Sequence, residues 1–261
     1  MNEFNSFLYQ YNLTKLEIEE CLQNINNWVL SRPLDTTLLS GPGKTYIKPE
    51  PYGVVLIMGA WNYPLYTCLP YFAQALCAGN TILLKPSELS ENTSKTIKKL
   101  IEKYTDQECY KCIEGDYLLS SKLTCLKWDL IMFTGSPEKG KLVSKAAAEN
   151  LVPCILELGG KNPTIVDQDA NLESAALRII QGKFINCGQT CIAADYVFVH
   201  ESVKEVLMKK FGEKLKSFFG DNALMSDDYS RILSVQHTQR LVQMIKIEDH
   251  QGEIVYGGQY D

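Results

Sequence analysis

The chain has 261 residues, 45% of them apolar, and a formal net charge of -5, so it can bury a substantial core in one or two domains. That charge, with no basic tract anywhere, excludes a nucleic-acid surface. No cationic-then-apolar leader opens the chain and no apolar run reaches the length of a membrane span, so a soluble, cytoplasmic protein is expected.

In chain order, residues 1–30 read as a helix pair or one long helix. The next stretch, "SRPLDTTLLSGPGK", is rich in Pro, Gly and Ser/Thr and is expected to be surface coil. From Gly53 onward short apolar runs alternate with helical stretches. "GVVLIM" (53–58), "NTILL" (80–84), "CYKCIE" (109–114), "DLIMF" (129–133) and "CILEL" (154–158) read as strands. Most are almost continuously apolar, as strands of a parallel sheet covered on both faces must be. A helix follows Pro64 and stops at Gly79; "ENTSKTIKKLIEKY" and "SPEKGKLVSKAAAEN" are two more, with Pro and Gly at their boundaries. The repetition predicts an α/β fold, a doubly wound parallel sheet. Further on come a helix over 171–186, a strand in "DYVFVH", two amphipathic helices in "SVKEVLMKKFGEKLKSFFG" and "RILSVQHTQRLVQMIKI", and a closing strand in "GEIVYGG".

Nine cysteines, an odd count without a leader peptide, point to free thiols in a reducing compartment. "CYKC" (Cys109 to Cys112) has the spacing of a half zinc site. No second pair follows, His200, His237 and His250 lie far along the chain, and a strand would point the two side chains to opposite faces, so no metal is expected.

Ligands of a parallel sheet bind beyond the carboxyl ends of its strands. There the chain places Trp61 and Asn62 in "GAWNYP", Lys85 and Glu88 in "KPSE", "TGS" (134–136), and Glu157 with Leu158 in "ELGGK". In "FTGSPEKG" a Gly-Ser pair at a helix start offers backbone N–H groups and the positive end of the helix dipole to a diphosphate. Gly135 with Gly140 is not the full G-x-G-x-x-G pattern, and Ser136 serves equally well as a plain N-cap. Lys85 and Glu88 suit a ribose, the carboxylate favouring a free 2′-hydroxyl over a 2′-phosphate; Glu88 in an ordinary first helical turn is the alternative. "GKFINCGQTCIAADYVFVH" carries two thiols, Cys187 and Cys191. A reactive thiolate needs nearby N–H donors or positive charge, whereas most free cysteines are structural, and the residues alone leave the choice open.

Together "GAWNYP", "GNTILLKPSELSENTS", "FTGSPEKGK", "LELGGKNP" and "GQTCIAADYVFV" make the chain resemble the NAD(P)-dependent aldehyde dehydrogenases, closest to their class-three fatty and aromatic aldehyde branch. The resemblance implies a Rossmann-like dinucleotide-binding domain and an incomplete α/β catalytic domain, with NAD or NADP as cofactor. It implies Cys191 as nucleophile, Cys187 as non-catalytic, Glu157 as general base, and Asn62 with the Cys191 N–H as holders of the oxyanion. It further implies Lys85 and Glu88 as adenosine-ribose contacts, Gly135 and Ser136 at the diphosphate, and Trp61, Gly140 and Leu158 along the cofactor. The expected divisions are 1–50 (helical segment and linker), 51–185 (dinucleotide-binding domain) and 186–261 (start of the catalytic domain). Members of the family begin earlier and continue well past "VYGGQYD", into a second acidic motif, most of the aldehyde tunnel and the segment that joins homodimers; some carry a membrane anchor. The expectation is therefore a truncated chain with uncovered apolar faces, some dinucleotide affinity, and weak or no turnover.

Overall fold

The computed structural model describes residues 1–246 and 252–260. Two compact units emerge, one formed by Ser6–Gly159 and the other by Met1–Asn5 with Gly160–Asp261. The division between the two units falls at Gly159–Gly160, and the helix over 172–184 packs with the two-stranded sheet and the helix that follows it.

At the amino end, α1 (Glu3–Ser6) runs through a π-helical segment, Phe7–Asn12, into α2 (Leu13–Trp28), so the segment is one continuous helix. Within the Ser6–Gly159 unit it is tied to the loop after the first core strand. Gln10 Oε1 accepts from the Leu65 N–H (3.0 Å), and the Tyr66 hydroxyl donates to Glu17 Oε1 (3.1 Å). The expected coil after it is exposed but not structureless. β1 (Arg32–Leu34) pairs antiparallel with β2 (Thr45–Ile47), Pro33 opposite Tyr46, a two-stranded ribbon in which a proline is tolerated.

The core of this unit is a five-stranded parallel sheet of β3 (Val54–Met58), β4 (Thr81–Lys85), β5 (Tyr110–Cys112), β6 (Leu130–Gly135) and β7 (Cys154–Leu158), in the order β5-β4-β3-β6-β7. The chain winds outward from β3 through β4 and β5, then returns to the other side of β3, which makes the β3/β6 junction the switch point of a doubly wound fold. Side chains alternate along β3. Val55 and Ile57 pack with Phe72 of α3 (Leu69–Cys77) and with Ile97 and Ile101 of α4 (Glu91–Tyr104). Leu56 and Met58 pack on the opposite face with Leu123 of α5 (Tyr117–Thr124) and with Val143 and Ala147 of α6 (Pro137–Ala148). Burial on both faces is what makes these strands continuous apolar runs.

Two departures follow from local chemistry. α3 begins at Leu69 instead of just after Pro64, because the Thr67 hydroxyl accepts from the Ala60 N–H (3.0 Å) and donates to the Ala60 carbonyl (3.1 Å), holding the intervening residues as turns. α5 was not expected from the sequence; Asp116 caps it, accepting from the N–H groups of Leu118 and Leu119.

In the other unit β8 (Asn162–Val166) pairs parallel with β9 (Ala194–Val199), and a bulge shifts the register between Asn162 and Pro163. One face packs Val166, Val197 and Val199 against α7 (Leu172–Phe184) and α8 (Lys204–Phe219). Glu173 joins the two helices through Lys210 (2.6 Å) and Lys214. The opposite face leaves Ile165 and Phe198, which are register partners, largely exposed. α9 (Val235–Ile245) starts later than the periodicity predicts, at a Ser234 cap that accepts from the His237 N–H (3.3 Å). Ile247 of that expected helix, and His250, lie outside the described residues. "GEIVYGG" is not a strand: Ile254, Val255 and Tyr256 are exposed and have no neighbouring strand to bond among the described residues.

Among the described residues no helix is long and apolar enough to cross a membrane, and no group of three or more His, Cys, Asp or Glu could hold a metal ion. All nine cysteines are free; Cys112 is buried in the sheet and Cys109 half-buried.

Candidate active site

Because β3, β4, β6 and β7 are parallel, the loops after them leave the sheet at one rim, and every candidate residue of the Ser6–Gly159 unit stands there. After β3, the Gly59 N–H donates to the Lys85 carbonyl (3.1 Å) and extends the ladder; a Cβ at Gly59 would lie 2.2 Å from Cys68 Sγ, so only glycine passes this point without rearrangement. The loop carrying the half-buried Trp61 and Asn62 is fixed by the Thr67 hydroxyl, and the Ser90 hydroxyl donates to the Trp61 carbonyl (2.9 Å).

At the end of β4 the Lys85 ammonium, on a side chain only 4% exposed, pairs with Glu88 Oε2 at 2.6 Å. Ser87 caps the following short turn, accepting from the Leu89 N–H. A buried cation is thereby held next to a carboxylate that reaches solvent, which places donors and acceptors side by side for paired hydroxyl groups.

At the end of β6, Ser136 is the N-cap of α6, accepting from the Lys139 N–H (3.3 Å), with Pro137 at the first helical position. The positive end of the helix dipole thus opens on the rim. Gly140 is buried; a Cβ there would stand 2.7 Å from Leu158 Cδ2, so Gly140 and Leu158 set how closely α6 approaches β7. The neighbouring Thr134 Oγ1 is buried and has no hydrogen-bond partner among the described residues. A capped helix start, a glycine at the point of close helix–strand approach and an unmatched hydroxyl fit a dinucleotide at this rim. Glu157, opposite Thr134 on β7, is exposed.

The thiols lie in the other unit. Asn186, Cys187 and Gly188 all have positive φ (50°, 58° and 73°), a left-handed run that two of them, as non-glycines, adopt at a cost. Cys187 is half-buried and hydrogen-bonds Tyr229; burial pushes its thiol up, the Tyr229 bond and the Arg231 charge acting against that. Cys191 is exposed, in a turn closed by the Ala193 N–H donating to the Thr190 carbonyl (3.2 Å). The loop between them is held by two residues that sequence reasoning left without a role. Gln189 donates to the carbonyls of Asn186 (2.9 Å) and Arg231 (3.1 Å) and accepts from the Leu233 N–H (2.9 Å). Asn162 donates to the carbonyls of Cys191 (2.9 Å) and Ala193 (3.0 Å). Neither contact was legible, since both depend on chain segments brought together only by folding.

The Ser6–Gly159 unit is thus a doubly wound parallel sheet, and it is followed in the chain by a turn that displays a cysteine. The profile of the aldehyde dehydrogenase family matches residues 12–261, and the chain belongs to that family. It is 40% identical over 260 residues to aldehyde dehydrogenase family 3 member A2 of Pongo abelii, covering 100% of this chain and 53% of the relative. It is 38% identical to the dimeric NADP-preferring aldehyde dehydrogenase of Canis lupus familiaris, covering 56% of it. Among solved structures, the substrate-bound state of Staphylococcus aureus AldH matches with a TM-score of 0.92 at 41% identity, over 100% of this chain and 57% of that one. The chain thus spans about half the length of the curated relatives it matches.

Proposed function

We propose that the protein is an NAD(P)-dependent aldehyde dehydrogenase, taking a small-molecule aldehyde to the carboxylic acid through a covalent bond to Cys191. The observation that carries the reading is the difference between the two thiols. Cys191 is exposed on a fixed turn, whereas Cys187 is half-buried, raised by burial and bonded to Tyr229. Nucleophilic chemistry requires the accessible thiolate.

In this reading the Cys191 sulfur adds to the aldehyde carbon, and the resulting oxyanion is held by the Asn62 amide and the Cys191 N–H. Losing one such donor typically costs about 3 kcal/mol of barrier. A bound dinucleotide would supply the acceptor for the hydride lost from the adduct carbon. Lys85 and Glu88 would hold its adenosine ribose, Gly135 and Ser136 its diphosphate, and Trp61, Gly140 and Leu158 would shape the surface along it. Glu157 then takes a proton from water, which attacks the thioester and frees the acid. The same reading places the protein in the cytoplasm; one relative is named dimeric, and in the family the segment that joins homodimers lies beyond the part of the chain matched here.

A second reading keeps nucleotide binding with little or no turnover. NAD(P)H formation from medium-chain and aromatic aldehydes separates the two. Turnover abolished by Cys191→Ser supports the first, and dinucleotide binding without turnover supports the second. Neither binding nor turnover contradicts both.

A further inference from the structure

We infer that Asn162 is a positioning residue for Cys191, an inference that rests on the reading of Cys191 as nucleophile. The peptide planes on both sides of that cysteine are held by hydrogen bonds. The plane before it carries the Thr190 carbonyl, which the Ala193 N–H binds at 3.2 Å to close the turn. The plane after it carries the Cys191 carbonyl, which receives the Asn162 side-chain amide at 2.9 Å and the Gly160 N–H at 3.2 Å. The same amide reaches the Ala193 carbonyl at 3.0 Å, so one side chain spans the far half of the turn. Beside it, Lys161 pairs with Asp195 at 3.1 Å, and three consecutive residues, 160 to 162, are laid along the segment that bears the thiol.

With both planes fixed, φ and ψ of Cys191 are fixed, and the sulfur keeps only its rotation about χ1, a choice of three staggered positions. The plane before the cysteine also contains its own N–H. Asn162 therefore holds the sulfur and that N–H in a constant relation. Such a relation matters only to reactions that build negative charge on an oxygen next to the attacked carbon.

Two probes of the full chain separate this role from simple support of the loop. With p-nitrophenyl acetate the thiolate sulfur attacks the ester carbon, the carbonyl oxygen becomes an oxyanion, and the carbon–oxygen bond breaks. Nitrophenolate leaves with the electron pair and an acetyl thioester remains. With iodoacetamide the thiolate sulfur displaces iodide at a saturated carbon, and no oxyanion forms. Both products are quantified on the Cys191 peptide by mass spectrometry, with the exposed Cys125 as reference and the half-buried Cys187 reporting whether the loop has opened. Asn162→Ala is expected to slow acetylation of Cys191 about tenfold while alkylation stays within about twofold, the size of effect that a small misplacement brings. If Asn162→Ala opens Cys187 to alkylation, Asn162→Ser, which keeps a hydroxyl donor, is measured in its place and must fall between the two. Unchanged acetylation, or acetylation and alkylation falling together, overturns the role of Asn162. Wild-type Cys191 acetylated no faster than Cys125 overturns instead the reading of Cys191 as nucleophile.

Discussion

Two thiols four positions apart in one loop differ in what surrounds them. Cys187 has a left-handed backbone and a tyrosine partner, and Cys191 sits on an exposed turn. Composition and spacing left that choice open, because the surroundings of a single side chain are set by segments far away in sequence, here the hydrogen bond of Tyr229 and the charge of Arg231 at Cys187. The resemblance named Cys191, and the folded chain leaves that thiol exposed and Cys187 half-buried. Asn162 was invisible at the same scale, since its contacts depend on the bulged register between β8 and β9. Glu88 makes the cofactor choice a residue-scale question. In the proposed ribose contact its carboxylate would repel a 2′-phosphate, and its pairing with Lys85 at 2.6 Å would weaken that repulsion. Glu88→Gln is expected to raise the affinity for NADP relative to NAD about tenfold, roughly 1.4 kcal/mol, in a titration of dinucleotide fluorescence. An unchanged ratio would remove Glu88 from discrimination.

Among the elements, the central strands β3, β4 and β6 were legible because burial on both faces leaves almost continuous apolar runs, and α4 was read with its observed bounds. The failures have equally physical causes. β8 begins Asn-Pro and alternates in exposure, which hides it among loop residues. "GEIVYGG" has the composition of a strand, but a strand exists only through a neighbour's hydrogen bonds. The α7–α8 pair supplies a test in acid. The Lys210 and Lys214 hydrogen bonds hold the Glu173 carboxyl down at about 2, from an ordinary 4.5. A depressed carboxyl contributes stability above its unfolded value and loses it as pH falls through its folded one. The unfolding midpoint of the wild type should therefore fall more steeply than that of Glu173→Gln between about pH 4.5 and pH 2, by a small amount, since these side chains face water. Parallel curves would show that the pair contributes nothing.

For the whole molecule, the class of fold and the rim that gathers Trp61, Asn62, Lys85, Glu88, Gly135, Ser136 and Glu157 were both readable before any coordinates, because the alternation of strand and helix dictates where loops emerge. The packing of α7 on β8, β9 and α8 depends on contacts between segments distant in sequence, which its own residues do not display. Leu56 is fully buried at the centre of the first sheet and contributes to the stability of the Ser6–Gly159 unit. Leu56→Ala should cost about 2–5 kcal/mol in denaturant unfolding and weaken dinucleotide binding with it. A loss under about 1 kcal/mol would mean that the core closes over the cavity. The chemistry proposed for the molecule is tested most directly by trapping its covalent step. Glu157→Gln, mixed with an aromatic aldehyde and NAD, should accumulate an acyl group on the Cys191 peptide, visible by mass spectrometry and discharged rapidly in the wild type. An acyl group on Cys187 instead, or none on any cysteine, would contradict the account.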